Sequence, residues 1–89
     1  MSKKEPLAQI ETILPEEALE LITEHVALNR PRSNNLVARY AEAMRTRAWK
    51  VNGETIVIDI NGNVIDGQHR LAACVESEVP LTTFVVRGV

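Results

Sequence analysis

Five consecutive residues, Asp66-Gly67-Gln68-His69-Arg70, set a carboxylate, a glycine, an amide, an imidazole and a guanidinium side by side. Arg70 offers a planar fork suited to bidentate contact with phosphate or carboxylate. His69 can donate to a phosphate, move a proton near neutrality or bind a metal. Gly67 permits positive φ or the close approach of a ligand. Gln68 adds hydrogen-bonding capacity but no nucleophile. The string is flanked by strand-like Val64-Ile65 and by Leu71-Ala72-Ala73-Cys74-Val75, which suits a short helix with one buried face. At such a junction the first-turn N–H groups are unpaired and the helix dipole favours negative charge. The expected chemistry is therefore a phosphate-facing loop. Gly67 and the N–H groups after it cradle the anion, Arg70 neutralises it, and Gln68 and His69 add hydrogen bonds. The structural alternative is a tight turn in which Asp66 caps the helix, His69 and Arg70 lie on the surface, and Arg70 pairs with Asp66 or Glu54.

Other residues could extend such a site. Arg30 and Arg32 flank Pro31 and give a stiff loop with two guanidiniums, a second anion contact. Glu54 and Asp66 could hold Mg²⁺, in which case Glu54, Asp66 and His69 become the catalytic candidates of an enzyme. Asp59 is open to the same role or to the solvent face of a strand. No serine or cysteine stands beside a base here, which argues against covalent catalysis. The other histidine, His25, falls in a different helical pattern, so a His/Cys metal site is poorly supported. Trp49 reads as core filler at a helix–sheet junction, with base stacking as the alternative.

These residues need elements to position them. Residues 1–11 read as an arm or crossing segment. Pro15 opens a helix with Glu16 and Glu17 in its first turn and Ala18, Leu21, Ile22 and Val26 on one face, ended at Asn29-Arg30-Pro31-Arg32. Ser33 or Asn34 caps a second helix whose stripe is Leu36, Val37, Tyr40, Ala41, Met44 and Ala48, leaving Arg39 and Arg45 solvated. A strand over 55–60, the Asn61-Gly62 turn and a short return form a hairpin. A helix over 68–77 buries Leu71, Cys74 and Val75, and Leu81 to Val86 forms the last strand. This is an α+β unit, a small mixed sheet covered by helices. It divides into an N-terminal arm and helix, residues 1–28, and a core, residues 29–89, within one domain.

Composition sets the outer limits. At 89 residues the chain makes one small domain. Its three aromatics, Tyr40, Trp49 and Phe84, leave the core to Leu, Ile, Val and Ala. No run is long enough to span a membrane, and no secretory h-region follows the first lysines. A lone Cys74 excludes an internal disulfide and fits a reducing, cytoplasmic setting. The net charge of −2 conceals a polarity: residues 29–50 carry Arg30, Arg32, Arg39, Arg45, Arg47 and Lys50 against Glu42 alone. That basic third points to nucleotide or DNA as partner, with a solvated helix face as the alternative.

From about Asn29 to Val86 the chain resembles the ParB/sulfiredoxin-like superfamily, in the branch whose loop reads Asp-Gly-Gln-His-Arg. The resemblance rests on Arg30-Pro31-Arg32, the helix from Leu36, the strand from Glu54, the segment Ile65 to Ala73 and the closing Thr83-Phe84-Val85-Val86. It implies that fold, a nucleoside triphosphate with Mg²⁺ as cofactor, and a phage or plasmid protein; a homodimer or larger complex is left open. Sulfiredoxins carry a nucleophilic cysteine where this chain has Gln68, so sulfinic acid reduction is not expected, while phosphate binding by His69 and Arg70 is. ParB proteins carry Gly-Glu-Arg-Arg, of which Gly67 and Arg70 match. The chain ends at Val89 without their helix-turn-helix, so sliding on a specific DNA site is not expected. Other relatives use an acid with this loop, which implies a Mg²⁺-dependent nuclease or phosphotransferase through Glu54 and Asp66. A protein-interaction module with a vestigial anion site is the third alternative.

Overall fold

A computed structural model of the chain describes residues 7–25, 33–46 and 55–89. Seven elements follow in order: β1 (Leu7–Ile13), α1 (Pro15–Glu24), α2 (Asn34–Arg45), β2 (Thr55–Ile58), β3 (Val64–Asp66), α3 (Gln68–Ser77) and β4 (Leu81–Arg87). The strands make one mixed sheet in the order β1-β4-β2-β3. β1 runs antiparallel to β4, β4 parallel to β2, and β2 antiparallel to β3. The α+β class expected from the sequence is what the chain adopts.

Alternation along the strands decides which face is covered. Ile56, Ile58, Val64, Leu81, Thr83 and Val85 are buried, together with Ile13 at the end of β1. They meet Ala18 of α1, Val37, Ala41 and Met44 of α2, and Leu71, Ala73 and Cys74 of α3. Both α1 and α2 pack on α3. That central position explains a difference from the expected stripe: Ala73 is fully buried and Val75 only half-buried. On the opposite face Thr55, Val57, Phe84 and Val86 are half-buried, while Ala8, Ile10, Thr12 and Thr82 are exposed.

The helix boundaries follow local chemistry. Pro15 takes the first helical position of α1, where its missing N–H costs nothing, and the Glu17 carboxylate accepts from Leu14 N at 3.0 Å. α1 stops at Glu24, well before Pro31 would force it to stop. Glu20 and Glu24 near its end oppose the dipole, and the Thr23 hydroxyl donates back to the Leu19 carbonyl at 2.7 Å. Ser33 caps α2, its Oγ accepting from Leu36 N at 3.3 Å. Arg39 is exposed as expected. Arg45 is exposed but not merely solvated: its Nη2 donates to the Glu76 carbonyl at 3.2 Å and ties α2 to α3. Val26, Ala48 and Trp49 lie outside the described residues.

Two strand expectations are corrected. Residues 7–11 of the segment read as an arm belong to β1, which pairs with β4 over its whole length from Leu7↔Arg87 to Ile13↔Leu81. The strand expected over 55–60 stops at Ile58. Asp59 Oδ1 accepts from Asn61 N and Asn63 N, both at 2.9 Å, so the strand ends two residues earlier and Ile60 is 74% exposed.

Arg87 and Glu11 join β1 and β4 by two hydrogen bonds of 2.8 Å. Hydrogen bonding from Arg87 holds the Glu11 carboxyl below its ordinary range. A carboxyl lowered by folding stabilises fully above glutamate's usual titration and loses that contribution as pH falls through the lowered value. Arg87 is nearly half exposed, so solvent screening keeps the contribution under about 1 kcal/mol. In chemical denaturation across acid pH, wild type is expected to be the more stable above that window and to converge with Glu11→Gln below it.

Candidate functional site

The Asp66-to-Arg70 string spans the end of β3 and the first turn of α3. Asp66 is exposed, and its Oδ1 accepts from Gly67 N at 2.9 Å. It is not the N-cap of α3. That position falls to Gly67, at φ 104° and ψ 13°, with no side chain to cap the helix. A Cβ at Gly67 would lie 2.8 Å from Ile56 Cγ1 and 3.1 Å from Ile56 Cα. Both its φ and its contact with β2 therefore demand glycine. The Leu71 N → Gly67 O bond of 3.1 Å opens the helix.

The next three side chains take different directions. Gln68 is 8% exposed, on the buried stripe it shares with Leu71 and Cys74. His69 is half-buried, and its Nε2 accepts from Ser33 N at 3.0 Å. An accepting Nε2 puts the proton of the neutral ring on Nδ1. The donor, Ser33, is the capping residue of α2. Arg70 is half-buried and its Nη1 donates to the Thr55 carbonyl at 2.9 Å. The loop thus braces α2 through His69 and β2 through Arg70. In electrostatic terms the start of α3 differs from that of α1: no acid lies in its first turn, whereas α1 carries Glu16 and Glu17 there. The positive end of the α3 dipole is therefore not offset from within the helix.

Arg30, Arg32 and Glu54 lie outside the described residues, so the second anion contact and the Glu54–Asp66 metal pair do too. Among the described residues no group of three or more His, Cys, Asp or Glu is placed to hold a metal ion. Asp59 is occupied with the hairpin turn. Cys74 is buried, and its thiol donates to the Val79 carbonyl at 3.2 Å. Burial pushes it up to about 11, which makes it a poor nucleophile at neutral pH. An open cleft of about 320 Å³ is bordered by Glu17, Glu20, Leu21, His25, Gly62 and Arg87. None of residues 66–70 lines it, and its mixed charges favour neither anion nor cation.

The sequence pointed to the loop and to the glycine, but not to the partners of His69 and Arg70. Ser33 N and Thr55 O are backbone groups, which any residue supplies, so no side-chain signal could have identified them. The burial of Gln68 did have a signal, since it stands three residues before Leu71 on the apolar stripe. Among the described residues no helix is long and apolar enough to cross a membrane. No protein-family model matches the sequence, and no curated protein and no solved structure matches the chain.

Proposed function

We propose that this chain is a phosphate-ligand binding domain, taking a nucleotide or DNA backbone at the Asp66–Arg70 loop. The carrying observation is the start of α3. A buried glycine at positive φ opens a ten-residue helix whose first turn holds Arg70 and no acid. An anion there meets the dipole and backbone N–H groups together with a guanidinium already oriented by Thr55. The proposal includes the ParB/sulfiredoxin-like family, a cytoplasmic setting and Arg30 and Arg32 as further contacts. A nucleoside triphosphate with Mg²⁺ is the preferred ligand form, because the counter-ion would offset Asp66 and Glu54.

A second reading is favoured by a specific pair of contacts. His69 and Arg70 both hold backbone atoms of other segments, as would the polar side chains of a structural brace. On that reading the domain is a protein-interaction module and the anion site is vestigial.

Titration with ATP–Mg²⁺ and with short duplex DNA, followed by calorimetry or fluorescence anisotropy, separates the two. Arg70→Ala is expected to weaken binding by roughly ten-fold or more, the scale of one lost charge-assisted contact. DNA affinity should also fall as salt rises. Arg70→Lys keeps the charge while losing the fork, and melting of all three proteins reports the structural role. Equal binding by wild type and Arg70→Ala, or none by either alongside a lowered melting temperature, overturns the binding reading in favour of the brace. Product formed from ATP or DNA would move the assignment to a metal-assisted enzyme.

A further inference from the structure

We propose that two copies of this chain pair through β1, edge to edge and antiparallel about Ile10, joining two four-stranded sheets into one of eight. Among the described residues β1 has a strand partner on its β4 side only. An open edge of this length is ordinarily guarded by lysine, proline, a bulge or a very short strand. The opposite edge is guarded: β3 has three residues, and its pairing with β2 is broken by a register shift. β1 has none of these devices. It runs seven residues in unbroken register, Leu-Ala-Gln-Ile-Glu-Thr-Ile, and its one charge, Glu11, is already engaged by Arg87. Leu7 is 57% exposed, Ile10 54% and Leu14, just beyond the strand, 42%.

The order of these residues selects a second copy as the occupant. A two-fold axis perpendicular to the sheet keeps the helices of both copies on one side, and it must pass at a residue paired with itself. An axis at Glu11 would set two carboxylates against each other, and like charges directly opposed destabilise a strand pair. An axis at Gln9 would set each Leu7 against a Glu11 carboxylate. An axis at Ile10 pairs Ile10 with Ile10, Ala8 with Thr12, Leu7 with Ile13 and the Gln9 amide with the Glu11 carboxylate. It brings each exposed Leu7 beside the partner's Leu14, and it extends the apolar stripe of Ile10, Phe84 and Val86 from one copy to the next. The strand is thus complementary to its own reverse. The proposal does not depend on phosphate binding at the loop.

The test is sedimentation velocity of the full chain over a concentration series. Wild type is expected to move from the monomer mass of 9.9 kDa to twice that value. Ile10→Lys and Ile10→Glu should each stay at the monomer mass, because each sets like charges face to face at the axis. Their mixture should recover the dimer, because Lys then faces Glu. Ile10 lies outside the core, so unchanged far-UV circular dichroism is expected of both. In wild type, amide exchange in β1 should slow as concentration rises, a readout that needs no variant. A wild type monomeric throughout, a single variant that still dimerises, a mixture that stays monomeric, or exchange independent of concentration overturns the proposal.

Discussion

Gly67→Ala is expected to cost about 3 kcal/mol of folding stability, measured as a lowered urea midpoint at unchanged slope. Two separate penalties combine. An alanine held at φ 104° pays the steric cost of the left-handed region, about 1–2 kcal/mol. Its Cβ must also displace Ile56, whose Cγ1 and Cα would lie at 2.8 and 3.1 Å. The nearer atom belongs to a fully buried side chain and the other to the backbone of a strand between two neighbours, so neither yields cheaply. Gly62→Ala separates the two costs. Gly62 has φ 84°, but nothing lies within 4 Å of the place its methyl group would take, so only the backbone penalty of about 1 kcal/mol is expected. Equal losses at the two glycines would show that β2 does not press on Gly67.

Ile56→Ala is expected to cost about 3 kcal/mol on its own. Ile56 is fully buried between Val85 of β4 and the glycine that opens α3, so truncation removes transfer energy and leaves a cavity. The coupling is the sharper result. Truncation deletes Cγ1, the atom that a Gly67 methyl group meets first, although Cα and Cβ remain at 3.1 and 3.3 Å. The double variant should therefore lose less stability than the two single variants added together. Strict additivity in urea denaturation would mean that the strain of Gly67→Ala is wholly one of backbone conformation.

How much of this was legible depended on burial. α2 and α3 could be read because their apolar residues recur three and four apart, and the Asn61-Gly62 turn because few residues suit it. β1 could not. Only Ile13 of its seven residues is buried, its large apolar residues fall at Leu7, Ile10 and Ile13, and a spacing of three conceals an alternation of two. An edge strand takes its conformation from its neighbour, and that neighbour, β4, begins 68 positions after Ile13. The site divides along the same line. The glycine at the β3–α3 junction is demanded by local geometry and showed in the sequence. The ties from His69 to Ser33 and from Arg70 to Thr55 come from packing between distant segments, and they bear on whether these side chains serve a ligand or the fold.

The pairing of β1 with β4 also sets a timetable. β1 leaves the ribosome before its only strand partner among the described residues, so the sheet cannot be completed until Leu81 to Arg87 have followed. The hairpin of β2 and β3 can form long before that, since its strands are adjacent in the chain. The entropy of closing a long loop grows only slowly with length, but the rate of reaching such a contact falls as contacts become more distant. Until β4 has followed, the nascent chain carries Leu7 to Ile13 with both edges unsatisfied. In that interval a chaperone, or a second nascent chain on the same message, can reach β1 before its own sheet does.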